Sequence, residues 1–146
     1  MIEVMKNLAK KKDLCVLATV SGGNPHCSLM AYTTNDACSE IYMVTHRKTR
    51  KMRNLMENPS VSLLIDTREE HTGSHLPEAE AMTVSGVFVR LEDDRKKAIV
   101  RERLLERHPY LNIFLDDPDS ELIRIKIHSF LLLKGFTDGH FVEISG

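Results

Sequence analysis

Short apolar or alternating runs, each closed by a cluster of turn residues, constrain this chain more than any other feature. Leu14 to Val20 ends in Ser21-Gly22-Gly23-Asn24-Pro25, and His26 to Thr34 returns beyond it. Asn35-Asp36-Ala37-Cys38-Ser39 then leads into Glu40 to Thr45. Runs of this kind are strands, and turns this short join neighbours that run antiparallel. Ser60 to Asp66, Glu80 to Leu91, Glu121 to His128, Phe130 to Phe136 and His140 to Ile144 continue the series. Gly86 marks a bulge or a close backbone approach within its strand. Phe130 to Phe136 is apolar nearly throughout, which predicts a segment buried on both faces or pressed against a partner chain. Six or seven antiparallel strands in one small domain favour closure into a barrel, since closure removes exposed edges.

Helices fill the gaps. Val4, Met5, Leu8 and Ala9 form one stripe of a helix that ends in Lys10-Lys11-Lys12, cations suited to its C-terminal end. Asp93-Asp94 opens another that runs to about Arg107, before Pro109. Tyr110, Ile113 and Phe114 suggest one more turn. Thr67 to Pro77 reads as a long loop, a length often tied to function. No linker or internal repeat divides the chain, so the expected organisation is a single domain over residues 1–146.

The chemically informative stretch is Val44 to Pro59. An apolar strand end is followed by His46-Arg47-Lys48-Thr49-Arg50-Lys51, and then by Met52, Leu55 and Met56 at helical spacing. Thr45 and Thr49 are both acceptable N-caps. A helix N-terminus carries about half a positive charge and unpaired N–H groups, so cations crowded there oppose it. A bound anion relieves the repulsion, and a phosphate fits best. A solvated basic face is the plainer reading. Nucleic acid is a third, weakened by a net charge of −1 and by the lack of aromatic residues within the stretch.

Other chemistries find little footing. There is no GxxxxGK, GxGxxG, GxSxG or HExxH pattern. His71 and His75 are four apart, but Gly73 and Pro77 argue against the helix that would align them, so no metal site is expected. Asp116, Asp117 and Asp119 read as a turn. Cys15, Cys27 and Cys38 are odd in number and widely spaced, as reduced thiols are, and Cys15 belongs in the core. No apolar run is long enough to cross a bilayer, and the first residues lack the apolar stretch of a signal peptide; the expected location is the cytoplasm, with no membrane partner. No catalytic side chain is identified. An anion site with so little catalytic equipment is the pattern expected when a bound cofactor supplies the reactivity.

Thr45 to Lys51, followed by Asn58-Pro59-Ser60-Val61-Ser62-Leu63-Leu64, resembles the flavin-phosphate segment of the pyridoxamine 5′-phosphate oxidase-like, FMN-binding split-barrel family. Leu17-Ala18-Thr19 with Gly23-Asn24-Pro25-His26 is similar to that family's first hairpin. The resemblance implies a split β-barrel with FMN as cofactor. Arg50 and Lys51 match the basic pair that binds the flavin phosphate, Thr49 the small hydroxyl residue before it, and Thr45 the hydroxyl residue at the preceding strand end. Ser28, Leu29, Met30, Ala31, Tyr32 and Thr33 match the segment that runs along the flavin ring, its backbone offering the hydrogen-bonding edge. A homodimer with flavin between subunits is implied too, as is a small-molecule substrate for a flavin-dependent oxidoreductase. A non-catalytic FMN carrier or sensor, or a haem-binding split-barrel relative, are the alternatives. Ser28 stands where the authentic oxidases have a basic residue, Thr33 near a lysine and Ala81 at a glutamine; His108-Pro109-Tyr110-Leu111 replaces an Arg-Pro segment, and the chain has no Trp. FMN binding survives these departures better than the pyridoxamine phosphate substrate does.

Overall fold

The computed structural model describes residues 1–144. Helix α1 (Ile2–Lys11) precedes the hairpin β1 (Leu14–Ser21) and β2 (Asn24–Ala31), the two-residue β3 (Thr33–Thr34) and β4 (Glu40–His46). Helix α2 (Arg50–Glu57), β5 (Ser60–Asp66), β6 (Glu80–Phe88), α3 (Asp94–Arg107), α4 (Asn112–Asp116), β7 (Ser120–Lys134) and β8 (Asp138–Glu143) follow. Every pairing is antiparallel, and the strand order is β2-β1-β5-β6-β7-β4-β3, with β8 beside β7. The two ends of that order, β2 and β3, are neighbours in sequence, joined through Tyr32. The sheet therefore curls back on itself and leaves a gap beside β2, which makes it a split barrel.

The strand expected from His26 to Thr34 is broken at Tyr32, and the break has a cause. The Tyr32 N–H donates to Asp13 O at 3.1 Å, and its carbonyl accepts from His108 Nε2 at 2.7 Å. The N–H bond continues the β1–β2 register one pair beyond Leu14 and Ala31, whereas the carbonyl is diverted to His108. This division brings the number of strands to eight.

A second difference concerns β7. Its two sequence segments form one strand, and the irregularity lies where Ser85 pairs with Ser129 but Gly86 pairs with Ile127. His128 is the extra residue, and it shifts the alternation by one. Ile123, Ile125 and Ile127 before it and Phe130 and Leu132 after it all enter the core. Leu131 and Leu133 point outward, so Phe130 to Phe136 is not buried on both faces. The β6 strand likewise stops at Phe88 rather than Leu91.

The main core fills the barrel. Leu17, Ile41, Met43, Leu63, Ile65, Met82 and Val84 line it, α1 adds Met5 and Ala9, and α2 adds Met52 and Leu55. A smaller core behind β4 joins Tyr42 and Val44 to Val100 and Leu104 of α3 and to Leu115 of α4. β4 is buried on both faces as a result, which its unbroken apolar run required. On the outside of the sheet, ladder partners align Leu29, Val16, Leu64, Thr83, Leu131 and Phe141 in one row across β2, β1, β5, β6, β7 and β8. Leu29 is 70 % exposed and Phe141 59 %. No helix among the described residues is long and apolar enough to cross a membrane.

Candidate functional site

β4 delivers Thr45 to the rim of the barrel, buried at 2 % exposure, and the turn after it starts α2 at Arg50. Of the two candidate caps, Thr49 is the one used: its hydroxyl accepts from the Met52 N–H at 3.3 Å and donates to His46 O at 3.0 Å. With that proton committed, the 3.3 Å contact between Thr45 and Thr49 hydroxyls runs from Thr45 as donor. Lys51 Nζ donates to Thr45 Oγ1 at 3.3 Å. The order Lys51 to Thr45 to Thr49 to the His46 carbonyl gives the corner one consistent set of donors.

Lys51 is half-buried there, and burial holds its ammonium below the ordinary lysine range. Among the described residues neither Arg50 nor Lys51, nor Lys48 or Arg53 beside them, has a carboxylate within 4.0 Å. The first turn of α2 holds no acid either. The Lys51 ammonium and the N–H groups of a helix start therefore stand together without a counter-charge, with Arg50 exposed beside them, and that donor set fits a phosphate. Arg47 and His46 are differently employed. Arg47 donates to Pro118 O at 2.7 Å and lies 3.8 Å from Asp119, and His46 is also 3.8 Å from Asp119.

Helix α2 is held against the hairpin by a buried hydrogen bond that sequence reasoning did not anticipate, Asn54 Nδ2 to Thr19 Oγ1 at 3.1 Å. Thr19 pairs with His26 and Leu17 with Ser28, so this bond brings α2 to the start of the ring-strand candidates. Ser28 and Met30 take the face of Leu17 and Cys15, while Leu29 and Ala31 take the outer face. Thr33 pairs with Tyr42 on β4. β2 closes the strand order, so one of its edges lacks a strand partner among the described residues. Tyr32 departs from this group. Its side chain is buried, with the hydroxyl bonded to Ala9 O, and its backbone groups are engaged as described above.

Two clefts flank these residues without including Thr45, Thr49, Arg50 or Lys51. One of about 350 Å3 lies between α3 and the turn before β7, lined by Arg47, Leu91, Lys97, Arg101, Leu115 and Leu122 among others. The other, about 300 Å3, opens on the outer face over Val16, Leu29 and Leu64, beside Lys12 and Arg68. The basic corner is open in the single chain.

Other chemistry is poorly supplied. Burial pushes the Cys15 thiol up to about 12 and raises that of Cys38. His71 turns its Nδ1 to Thr67, and the loop that carries it is tied to Lys12, just past the end of α1, which donates to Glu70 at 2.6 Å. His46, Asp117 and Asp119 are the one group of metal-type ligands among the described residues, with ligand atoms within 4.8 Å of one another. Arg47 lies 3.8 Å from Asp119 of this group.

Comparison with known proteins bears on the family and the fold. The family model for pyridoxamine 5′-phosphate oxidase matches residues 1–134. The chain belongs to that family. No curated protein sequence matches it. Among solved structures, it is similar to a haem binding protein from Mycobacterium smegmatis, with TM-score 0.81 and 18 % identity, covering 95 % of this chain and 57 % of the other. The haem storage protein HutZ from Vibrio cholerae is similar at TM-score 0.75 and 22 % identity, over 91 % of this chain and 93 % of HutZ. A FAD-binding protein from Mesorhizobium loti gives 0.73 and 16 %, over 90 % and 93 %. At such identities these likenesses establish the fold, and the bound groups belong to those proteins.

Proposed function

We propose that this family member binds FMN and acts as a flavin-dependent oxidoreductase on a small molecule, as a homodimer with flavin at the subunit interface. One observation carries the reading: the half-buried Lys51, with Thr45, Thr49 and Arg50 at the start of α2, has no carboxylate partner among the described residues. Arg50 and Lys51 bind the phosphate and position the cofactor. The open edge of β2, from Ser28 to Ala31, and Thr33 beyond it orient the ring. Flavin, when bound, supplies hydride or electron exchange. This chain's own residues hold it in place and keep water from one of its faces.

The dimer is supported by the outer-face row from Leu29 to Phe141. Leu29, Leu131 and Phe141 stand exposed along it, and exposed apolar side chains grouped on one face are where partners dock.

Haem is the second reading, favoured by the two haem proteins that share the fold. The absorbance of the purified protein separates the two: flavin bands support FMN, and a Soret band supports haem. Bleaching by a nicotinamide donor followed by reoxidation separates an enzyme from a carrier or sensor. Arg50→Ala with Lys51→Ala is expected to lose most FMN affinity, since each charge-assisted contact contributes about 1.5–3 kcal/mol. Wild-type affinity in that double variant, measured by fluorescence titration, would remove the phosphate assignment.

A further inference from the structure

We infer that His108 is a positioning residue for the flavin ring, acting through the Tyr32 carbonyl. The inference rests on the reading that Ser28 to Thr33 runs along the ring. His108 is 2 % exposed and follows the last residue of α3. A carbonyl only accepts, so the 2.7 Å bond to Tyr32 O places the proton on Nε2; in the neutral ring Nδ1 then accepts from the Tyr110 hydroxyl at 3.2 Å. Both nitrogens are committed, and Tyr110 packs edge-on against the ring with centroids 5.6 Å apart.

The bond acts where the chain leaves β2 for β3. Up to Ala31 the chain pairs with β1, from Thr33 it pairs with β4, and the Tyr32 carbonyl held by His108 lies between the two. Neighbouring contacts from the same end of α3 hold the same joint. Arg103 Nε donates to Thr34 O at 2.8 Å, and Arg107 donates to Lys11 O at 2.6 Å and to Asp13 at 2.9 Å. Further along its length, α3 packs Val100 and Leu104 on Tyr42 and Val44, just before Thr45. One helix therefore packs next to both halves of the candidate site. It sets the ring strand relative to the phosphate corner, and His108 is the link on the ring side.

The test uses the full chain titrated with FMN and with riboflavin, which lacks the phosphate. For His108→Leu, both dissociation constants are expected to rise roughly tenfold with their ratio unchanged, because the lost hydrogen bond lies on the ring side. The visible circular dichroism of the flavin-saturated protein should change as well, which loss of stability alone would not produce. His108→Gln, whose amide N–H can reach the same carbonyl, should restore most of both. Unchanged affinity and dichroism in His108→Leu would overturn the inference, as would a loss confined to FMN. Should His108→Leu fail to fold, Tyr110→Phe decides: removal of the Nδ1 partner is expected to alter the dichroism, and an unaltered spectrum overturns the role. A wild-type protein that binds neither flavin would instead sink the flavin reading itself, before any His108 variant is compared.

Discussion

Lys51 sits in the first turn of α2, where the helix dipole and its partial burial both oppose its charge. Lys51→Met is therefore expected to stabilise the ligand-free protein by about 0.3–1 kcal/mol in urea titrations while weakening FMN binding. A loss of stability would show that the bond from its ammonium to Thr45 Oγ1 outweighs both effects. Glu40 behaves in the opposite way. Burial pushes its carboxyl up, but the Tyr42 hydroxyl, Lys96 and Arg124 outweigh that and hold it below its ordinary value of 4.5. A carboxyl with a depressed folded pKa contributes stability that is present above the unfolded pKa and lost as pH falls through the folded one. Glu40→Gln should then cost about 1–2 kcal/mol near pH 7, and the gap to wild type should close in acid unfolding curves as pH drops below the usual carboxylate range. The charge of both residues could be read from the chain, but the partners could not, because Lys96 and Arg124 reach Glu40 only after α3 and β7 pack around β4.

The β6–β7 pair shows what an element needs beyond its own pattern. Gly86 signalled a bulge or a close approach, and a Cβ there would run into the Lys126 carbonyl oxygen and lie 2.9 Å from Ile125 Cγ2. Backbone cannot yield as a side-chain end can, so Gly86→Ala is expected to destabilise by about 1–3 kcal/mol in thermal or urea unfolding, and a neutral result would mean that the strands separate freely. The extra residue itself, His128, lies on the other strand and could not be located from β7 alone. Its shift of phase made one strand look like two. Similarly, β2 and β3 read as one strand because nothing in His26 to Thr34 reveals that His108 will take the Tyr32 carbonyl.

For the whole molecule, the row Leu29, Val16, Leu64, Leu131 and Phe141 is assembled from strands far apart in the chain. If a second copy covers it, Leu131→Glu should give a monomer in sedimentation velocity at concentrations where the natural chain is a dimer, and flavin affinity should fall with it. A dimer that persists would move the interface elsewhere. Local pattern alone determined the antiparallel strands, the helices that flank them and the cationic turn before α2, because period, turn chemistry and charge placement are properties of neighbouring residues. Only tertiary structure decided which face of β7 is wet, which threonine receives Lys51 and where β2 ends. Those outcomes depend on groups tens of residues away, such as His108 on the Tyr32 carbonyl, and such partners meet only when the sheet curls.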